Sequence, residues 1–274
     1  MTLDRFRRGA VSEQGFVLVA ALWLLAALAA LATIFAIYLS NSARALAIGD
    51  TTLQVEALVS ASVELTAYQL QLGGDDTRPA QGSFHTRLNN AELDVSFVSE
   101  TARIDLNVAP KELLAGLLSV LGASGDDASQ YADRIIGWRT KPTEQTAGNE
   151  DALYRAAGRS YSPRQAPFAH VNELGLVLGL PPALVERALP FVTVFSGEAG
   201  VDVLTAQPEV VAALPGMTPL ALKQFLNDRG GLVNDPTAIA AALGDAKAGA
   251  ATGKSQAYRI LIRVRLPKGG QTAS

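Results

Sequence analysis

The chain of 274 residues contains no cysteine, which excludes disulfides, thiolate metal sites and cysteine nucleophiles together. Histidine is nearly as scarce. His85 and His170 are the only two, and they lie far apart in sequence, which leaves little material for a histidine-rich metal or acid–base site. Charged residues make up 18% of the chain, against a typical ~25%. The small excess is acidic, 26 carboxylates against 23 lysines and arginines, for a net charge of −3. Such a chain lacks the overall positive field that non-specific nucleic-acid binding requires. No nucleophile elbow, zinc-binding helix signature or other catalytic set occurs, so a non-enzymatic role is expected. What the sequence does have is apolar residues, 49% of the total, and they are unevenly placed.

No charge occurs from Gln14 to Ala43, and Phe16 to Leu39 is apolar except for Thr33 and Tyr38. As helix, this run spans ~36 Å at ~1.5 Å per residue, enough to cross a ~30 Å hydrocarbon core with some tilt. Arg5, Arg7 and Arg8 precede the run, and only Arg44 follows closely. The positive-inside tendency therefore keeps the short N-terminus cytoplasmic and exports the rest. A removable secretory signal would have a shorter apolar region, ~7–15 residues.

A short charged leader ends in Ser12-Glu13-Gln14-Gly15-Phe16, with glycine immediately before the apolar run. This junction resembles a type IV prepilin leader. The resemblance implies cleavage by the prepilin peptidase between Gly15 and Phe16, with N-methylation of the new amino-terminal Phe16. Glycine suits such a scissile position because its backbone can be approached closely. Major pilins carry glutamate at the fifth mature position, where this chain has Ala20. A carboxylate in the bilayer is costly unless it has a partner. The missing glutamate fits a subunit with no neighbour ahead of it in a filament.

Apolar positions continue at Leu46, Leu53, Ala57, Ala61, Leu65, Tyr68 and Leu72, a stripe of helical period that ends at Gly73-Gly74. One long helix over 16–72, transmembrane over 16–39, is expected, with its second half packed on the soluble part. Strand signals follow at Ser83–Leu88 and Glu92–Ser99, and the last clear strand is Ala257–Leu266. The intervening stretch is too long for a loop and reads as short helices, among them Lys111–Leu121, Ala128–Arg139, Pro182–Leu189 and Pro219–Asp228. It also repeats. Ile104-Asp105-Leu106-Asn107-Val108-Ala109 and Glu112-Leu113-Leu114 match Val201-Asp202-Val203-Leu204-Thr205-Ala206 and Glu209-Val210-Val211 at a constant offset of 97. Thr140–Gln165, rich in polar residues, glycine and proline, reads as a mobile loop. The expected organisation is a leader (1–15), the long helix (16–72), a pilin-like sheet (73–102 and 255–274) and a mainly helical insert (103–254) with two related repeats.

Several segments together resemble one family in order along almost the whole chain. They are the leader lacking glutamate, Arg103-Ile-Asp-Leu-Asn-Val-Ala-Pro110, Ile135-Ile-Gly-Trp-Arg139, Ala166-Pro-Phe-Ala-His-Val-Asn-Glu-Leu174, Leu189-Pro-Phe-Val-Thr-Val194 and Leu214-Pro-Gly-Met217. The family is the K-type minor pseudopilin of the type II secretion system, GspK-like. The resemblance implies an α+β pilin-like fold with a long N-terminal transmembrane helix, a small antiparallel sheet and a large inserted all-α domain. It implies a single-pass inner-membrane protein with a periplasmic C-terminal domain, partnered by the I- and J-type minor pseudopilins at the pseudopilus tip. There it would help start or limit assembly of the filament that exports folded proteins. Some K-type pseudopilins bind calcium. No EF-hand loop occurs, and the sequence assigns no calcium ligands.

Two other motifs point elsewhere. Leu214-Pro-Gly-Met217 followed by Ala221–Leu226 resembles a helix-hairpin-helix DNA-binding unit. However, Pro219 removes a backbone donor and only Lys223 and Arg229 supply charge nearby, so no nucleic-acid partner is expected. Ala248–Ser255 matches a relaxed phosphate-binding loop, but a strand follows it instead of preceding it, which reverses the working order. The acidic pairs Asp75-Asp76, Asp126-Asp127 and Glu150-Asp151 read as solvated turns, and Trp138 and Phe168 as core.

Overall fold

The structure is a computed structural model that describes residues 14–72, 74, 78–143, 148–232, 235–251, 256–267 and 271–273. The leader residues 1–13, the pair Asp75-Asp76 and the Gly253-Lys254-Ser255 part of the relaxed phosphate-binding motif lie outside the described residues. The chain divides into two compact units, Met1–Ala61 and Ser62–Ser274. Helix α1, Gln14–Leu72, contributes to both.

In the first unit, Phe16–Ser42 is long and apolar enough to cross a membrane, and nearly all its described side chains are exposed. In the second unit, the end of α1 buries Ser62, Thr66 and Leu70, one side of the helix at i, i+4 spacing. This corrects the apolar stripe read from the sequence, because Tyr68 and Leu72 are 61% and 65% exposed and Leu65 is only half-buried. Two small polar side chains, Ser62 and Thr66, share the buried face with Leu70. Thr66 can afford burial because its hydroxyl donates to the Ser62 carbonyl at 2.7 Å. Helix α1 ends at Leu72, Gly74 takes φ +69°, and Arg78 Nε donates to the Leu70 carbonyl at 3.3 Å.

The sheet runs β1-β2-β5-β6 and is antiparallel throughout: β1 is Gln81–Leu88, β2 Ala91–Ser99, β5 Tyr258–Arg265 and β6 Gln271–Ala273. A two-residue turn joins β1 to β2. Asn89 and Asn90 both take positive φ, +47° and +64°, the geometry that lets a tight hairpin match strand twist. Alternation in β2 buries Leu93, Val95 and Phe97 with Ile262 and Val264 of β5 on one face. Gly82 lies opposite Phe97, and a Cβ there would meet the Phe97 ring at 2.5 Å, so the ring occupies the space a side chain would need.

Between β2 and β5 the chain leaves the sheet and returns to it. The neck closes on itself, with Glu100 N–H donating to the Ala257 carbonyl at 2.9 Å. Beyond it come β3 (Ile104–Asp105), α2 (Lys111–Val120), α3 (Gly125–Arg139), α4 (Asn149–Ala156), α5 (Pro182–Ala188), β4 (Val192–Thr193), α6 (Pro208–Ala212), α7 (Pro219–Asp228) and α8 (Pro236–Leu243). Strands β3 and β4 pair in parallel, a two-residue ladder too short for strand alternation to reveal in the sequence. Helix α4 falls inside the stretch read as a mobile loop. Two acids in its first turn, Glu150 and Asp151, suit a helix N-terminus, and Tyr154 anchors it in the core. Asp126-Asp127 occupy the same place in α3, whose N-cap Ser124 accepts from the Asp127 N–H.

The offset-97 repeat is present in three dimensions. Asp105 Oδ1 accepts the Asn107 N–H at 2.8 Å, and Asp202 Oδ1 accepts the Leu204 N–H at 3.1 Å. The next bonds also correspond, Ala109 N–H to the Asp105 carbonyl at 2.9 Å and Ala206 N–H to the Asp202 carbonyl at 2.8 Å. Where α2 meets α6, Gly116 abuts Ala213, again 97 positions on, so equivalent points of the two copies touch. A Cβ on Gly116 would run into the Ala213 carbonyl oxygen, a backbone atom that cannot swing aside. Gly116→Ala therefore forces α2 and α6 apart. Overpacking of this kind costs ~1–3 kcal/mol. We expect the melting temperature of the purified chain to fall by roughly 2–10 °C, read by near-UV circular dichroism. An unchanged midpoint contradicts the close approach.

Candidate functional site

Four of the motifs singled out in the sequence meet at one place, the loop Asp105–Ala109. A buried loop must satisfy every backbone polar group it carries, and here side chains from distant segments do so. Asp105 is 1% exposed and accepts the Gly197 N–H at 2.8 Å and the Ser196 hydroxyl at 3.3 Å, in addition to Asn107 N–H. Leu106 N–H donates to the Thr193 carbonyl at 2.8 Å, continuing the β3–β4 pairing. Asn107 clamps Phe168 from both sides: Nδ2 donates to its carbonyl at 3.1 Å and Oδ1 accepts its N–H at 2.6 Å. Arg139, the last residue of α3, donates to the carbonyls of Leu106 and Ala109. Burial lowers the Arg139 pKa while the Asp105 charge opposes the shift, and a guanidinium keeps its proton at any physiological pH.

The aromatic residues complete the arrangement. Trp138 stacks on Phe168 with centroids 6.1 Å apart, and Tyr154 lies at 6.1 Å on another side. Trp138 Nε1 donates to Glu173 at 3.3 Å, while Glu173 also accepts from Arg164 and from the Ala169 N–H. Gly137 permits this packing, because a Cβ there would meet the Glu150 carboxylate at 2.7 Å. Glu150 in turn pairs with Arg134 at 3.2 Å. Tyr154 accepts the Leu178 N–H at 2.9 Å, and burial raises its pKa. The second copy uses the same device, with Arg229 just past α7 donating to the Ala206 carbonyl at 3.0 Å. Chemically, the locus is a fastening. It presents no nucleophile–base pair, and among the described residues no group of three or more His, Asp or Glu could hold a metal ion.

A second fastening, not singled out from the sequence, sits at the neck. Glu100 is 4% exposed, and its Oε1 accepts from Arg259 of β5 at 3.0 Å and from Arg103 at 3.4 Å. Arg103 also reaches the Pro190 carbonyl at 2.9 Å. Burial, then the nearby Arg259 charge, lower the Arg103 pKa, and Glu100 opposes both. One carboxylate thus ties the sheet to the helical region. The available signal was a charged residue directly after an alternating strand, with an arginine three positions later.

The remaining sequence candidates fall as follows. Gly15 and Phe16 lie in the first turn of α1, with Phe16 79% exposed, and Ala20 is half-buried one turn on. His85 donates to Asp94 at 2.8 Å on the exposed face of the sheet, and His170 caps the short 3₁₀ helix Val171–Leu176 by accepting the Asn172 N–H. The Leu214–Met217 hairpin turns on Gly216, φ +82°, directly beside Asp245. The Asp245 Cβ and the backbone of 245–246 close over this glycine, which agrees with a packing role. The described part of the relaxed phosphate-binding motif, residues 248–251, ends a 3₁₀ helix (Gly244–Gly249) and bridges Ala250 to Val201, with strand β5 after it.

An apolar span leading into an α+β head, whose small antiparallel sheet is interrupted by a helical region, defines a pilin-related class of anchored protein. Comparison with known proteins is specific within that class. Residues 87–197 match the family described as "Type II secretion system (T2SS), protein K". The chain is 31% identical over 115 residues to type II secretion system protein K of Klebsiella pneumoniae, covering 41% of this chain and 35% of that protein. It is 28% identical over 153 residues to the protein K of Pseudomonas aeruginosa, covering 52% of this chain and 46% of that one. The matches thus span less than half the length of either relative. A chain in the crystal structure of the GspK–GspI–GspJ complex from enterotoxigenic Escherichia coli has a similar fold, with a TM-score of 0.58 at 16% identity over 82% of this chain and 90% of that one. Over residues 87–197 the chain is thus similar in sequence to protein K, its fold resembles that of the GspK–GspI–GspJ crystal structure, and the α+β architecture expected from the sequence is the one observed.

Removing the guanidinium of Arg139 tests the fastening. Arg139→Ala strands the Leu106 and Ala109 carbonyls inside the protein, and each buried unsatisfied group costs ~1–3 kcal/mol. We expect a drop of roughly 5–15 °C in melting temperature, with Arg139→Lys only partly restoring it because an ammonium cannot reproduce the two-pronged geometry. Equal stability of Arg139→Ala and wild type contradicts this role.

Proposed function

We propose that the chain is a minor pseudopilin of the type II secretion system, anchored in the inner membrane by one helix with its head in the periplasm. It would sit at the pseudopilus tip and help start or limit assembly, without enzymatic activity of its own. The observation that carries this reading is the Phe16–Ser42 apolar helix joined to a head that matches protein K in both sequence and fold. The partners would be the I- and J-type minor pseudopilins, in line with the composition of the complex that supplies the structural likeness. In this reading the helical region between β2 and β5 makes the head too wide to be stacked upon. The segments 73–102 and 255–274 would form the pilin-like sheet, and 103–254 the insert. Co-purification of the full chain from membranes with its neighbouring pseudopilins tests the reading. Recovery of the chain without them, from cells that assemble the filament, opposes it.

Processing is the second test. Cleavage between Gly15 and Phe16 leaves a mature chain that begins with N-methylated Phe16, and Gly15→Leu blocks it by placing a branched side chain where the backbone must be approached closely. Intact-mass measurement in cells containing the peptidase distinguishes the two. A wild-type chain that keeps its leader contradicts the proposal.

Position 20 supplies a third. For a leading subunit, a carboxylate at Ala20 would have no partner ahead of it, at a cost of ~2.5 kcal/mol or more near the bilayer centre and less near the interface. Ala20→Glu should bring no gain in assembly, counted as copies of this subunit per pseudopilus after crosslinking. Wild-type copies found along the shaft, with neighbours ahead of them, refute the tip position.

A further inference from the structure

We propose that the outer face of the sheet is a docking surface for an acidic segment of a protein partner. The inference does not depend on the pseudopilin reading, because it rests on three rows of cross-strand neighbours. Strand register places Arg87, Glu92 and Arg265 in one row, His85, Asp94 and Arg263 in the next, and Ser83, Ser96 and Leu261 in the third. The arginines and His85 are exposed. The pairing is lopsided. Asp94 is used twice, by His85 Nδ1 at 2.8 Å and by Arg265 at 2.8 Å, and the His85 hydrogen bond and the nearby arginine charges hold its carboxyl below the usual range. Glu92 reaches only Arg265, at 3.9 Å. Arg87 and Arg263 therefore make no salt bridge or side-chain hydrogen bond among the described residues.

Shape adds to charge. The two small serines opposite each other lower the surface between larger neighbours and leave a shallow depression of about 410 Å³, with Arg263, His85, Leu261 and the doubly paired Asp94 around it. A carboxylate entering there meets the Arg263 guanidinium, which makes no salt bridge of its own because Asp94 is held by His85 and Arg265, and it can bind in a two-pronged fashion, with two hydroxyls below and an apolar edge for its methylenes. The carboxylates of Glu92 and Asp94 alternate with the arginines, which suits a protein surface of mixed charge with acidic excess better than a uniformly anionic bilayer. The strand amides lie in the plane of the sheet and do not point out of its face, so they form no backbone cradle for phosphate there. The pattern is local, since the chain as a whole is acidic.

The test uses the full chain in detergent micelles and a fluorescent peptide of alternating glutamate and serine, with glutamine–serine and lysine–serine peptides as comparisons. Binding of the acidic peptide alone, weakening as salt rises, is expected. The double variant Arg87→Gln/Arg263→Gln should weaken it at least roughly tenfold, the scale of a lost charge-assisted pair. Arg263→Lys should retain only part of it, since an ammonium keeps the charge but not the two-pronged geometry, and Lys223→Gln, on α7 away from this face, all of it. Both arginines are exposed and unpaired, so replacing them strands no buried group. Absence of binding, or binding unchanged in the double variant, overturns the proposal. So does displacement of the peptide by millimolar inorganic phosphate, which marks a simple anion site, or preferential binding of phosphatidylglycerol vesicles, which marks a lipid surface.

Discussion

A buried loop cannot leave its amide groups to water, and the organisation of the helical region follows from how Asp105–Ala109 meets that requirement. Asp105 gathers donors from residues 107, 196 and 197, which lie far apart in sequence. Asn107 holds Phe168, Phe168 stacks on Trp138, and the next residue, Arg139, returns to the loop it started from. The circuit is closed, and removing the Asp105, Asn107 or Arg139 side chain leaves backbone groups it holds without that partner in a low-dielectric interior. The motifs that look most distinctive in the sequence are therefore distinctive because they hold one another.

The second copy shows what is essential in this device. Asp202 repeats the turn, Ala206 repeats the carbonyl, and Arg229 repeats the guanidinium, but Thr205 stands near where the first copy has its clamping asparagine and uses its hydroxyl on Asp202 at 2.6 Å. An aspartate turn closed by an arginine from the end of a following helix is common to both. The clamp on a phenylalanine is particular to the first. Contact between Gly116 and Ala213 joins the copies at equivalent points, so the head has one continuous core that includes both Leu114 and Val211. Glu100 then fastens that core to the sheet through Arg259 and Arg103.

Much of this was legible in the sequence where a local pattern had one physical cause. The apolar span, the alternation of Leu93, Val95 and Phe97, the proline-started helices and the offset-97 repeat all reappear as structure. Two readings failed for a shared reason. The stripe through Tyr68 and Leu72 is apolar but exposed, while Ser62 and Thr66 are buried, because close packing selects small side chains that periodicity of hydrophobicity does not register. The stretch containing α4 looked loop-like by composition, yet Tyr154 and the Glu150–Arg134 pair fix it through tertiary contacts. Glu100 and the lopsided pairing on the outer sheet face depend on register between strands more than 150 residues apart in the chain, which no local pattern encodes.

The most direct measurement of this account is native-state hydrogen exchange at the amides of Leu106, Ala109, Phe168 and Gly197. All four are bonded to the loop or lie within it, so the closed circuit predicts that they exchange together, only through unfolding of the whole head, at the same rate as the core amides of α3. Exchange of the Phe168 or Gly197 amide through a separate, faster local opening would contradict it, and would show these motifs to be a mobile site instead of a fastening.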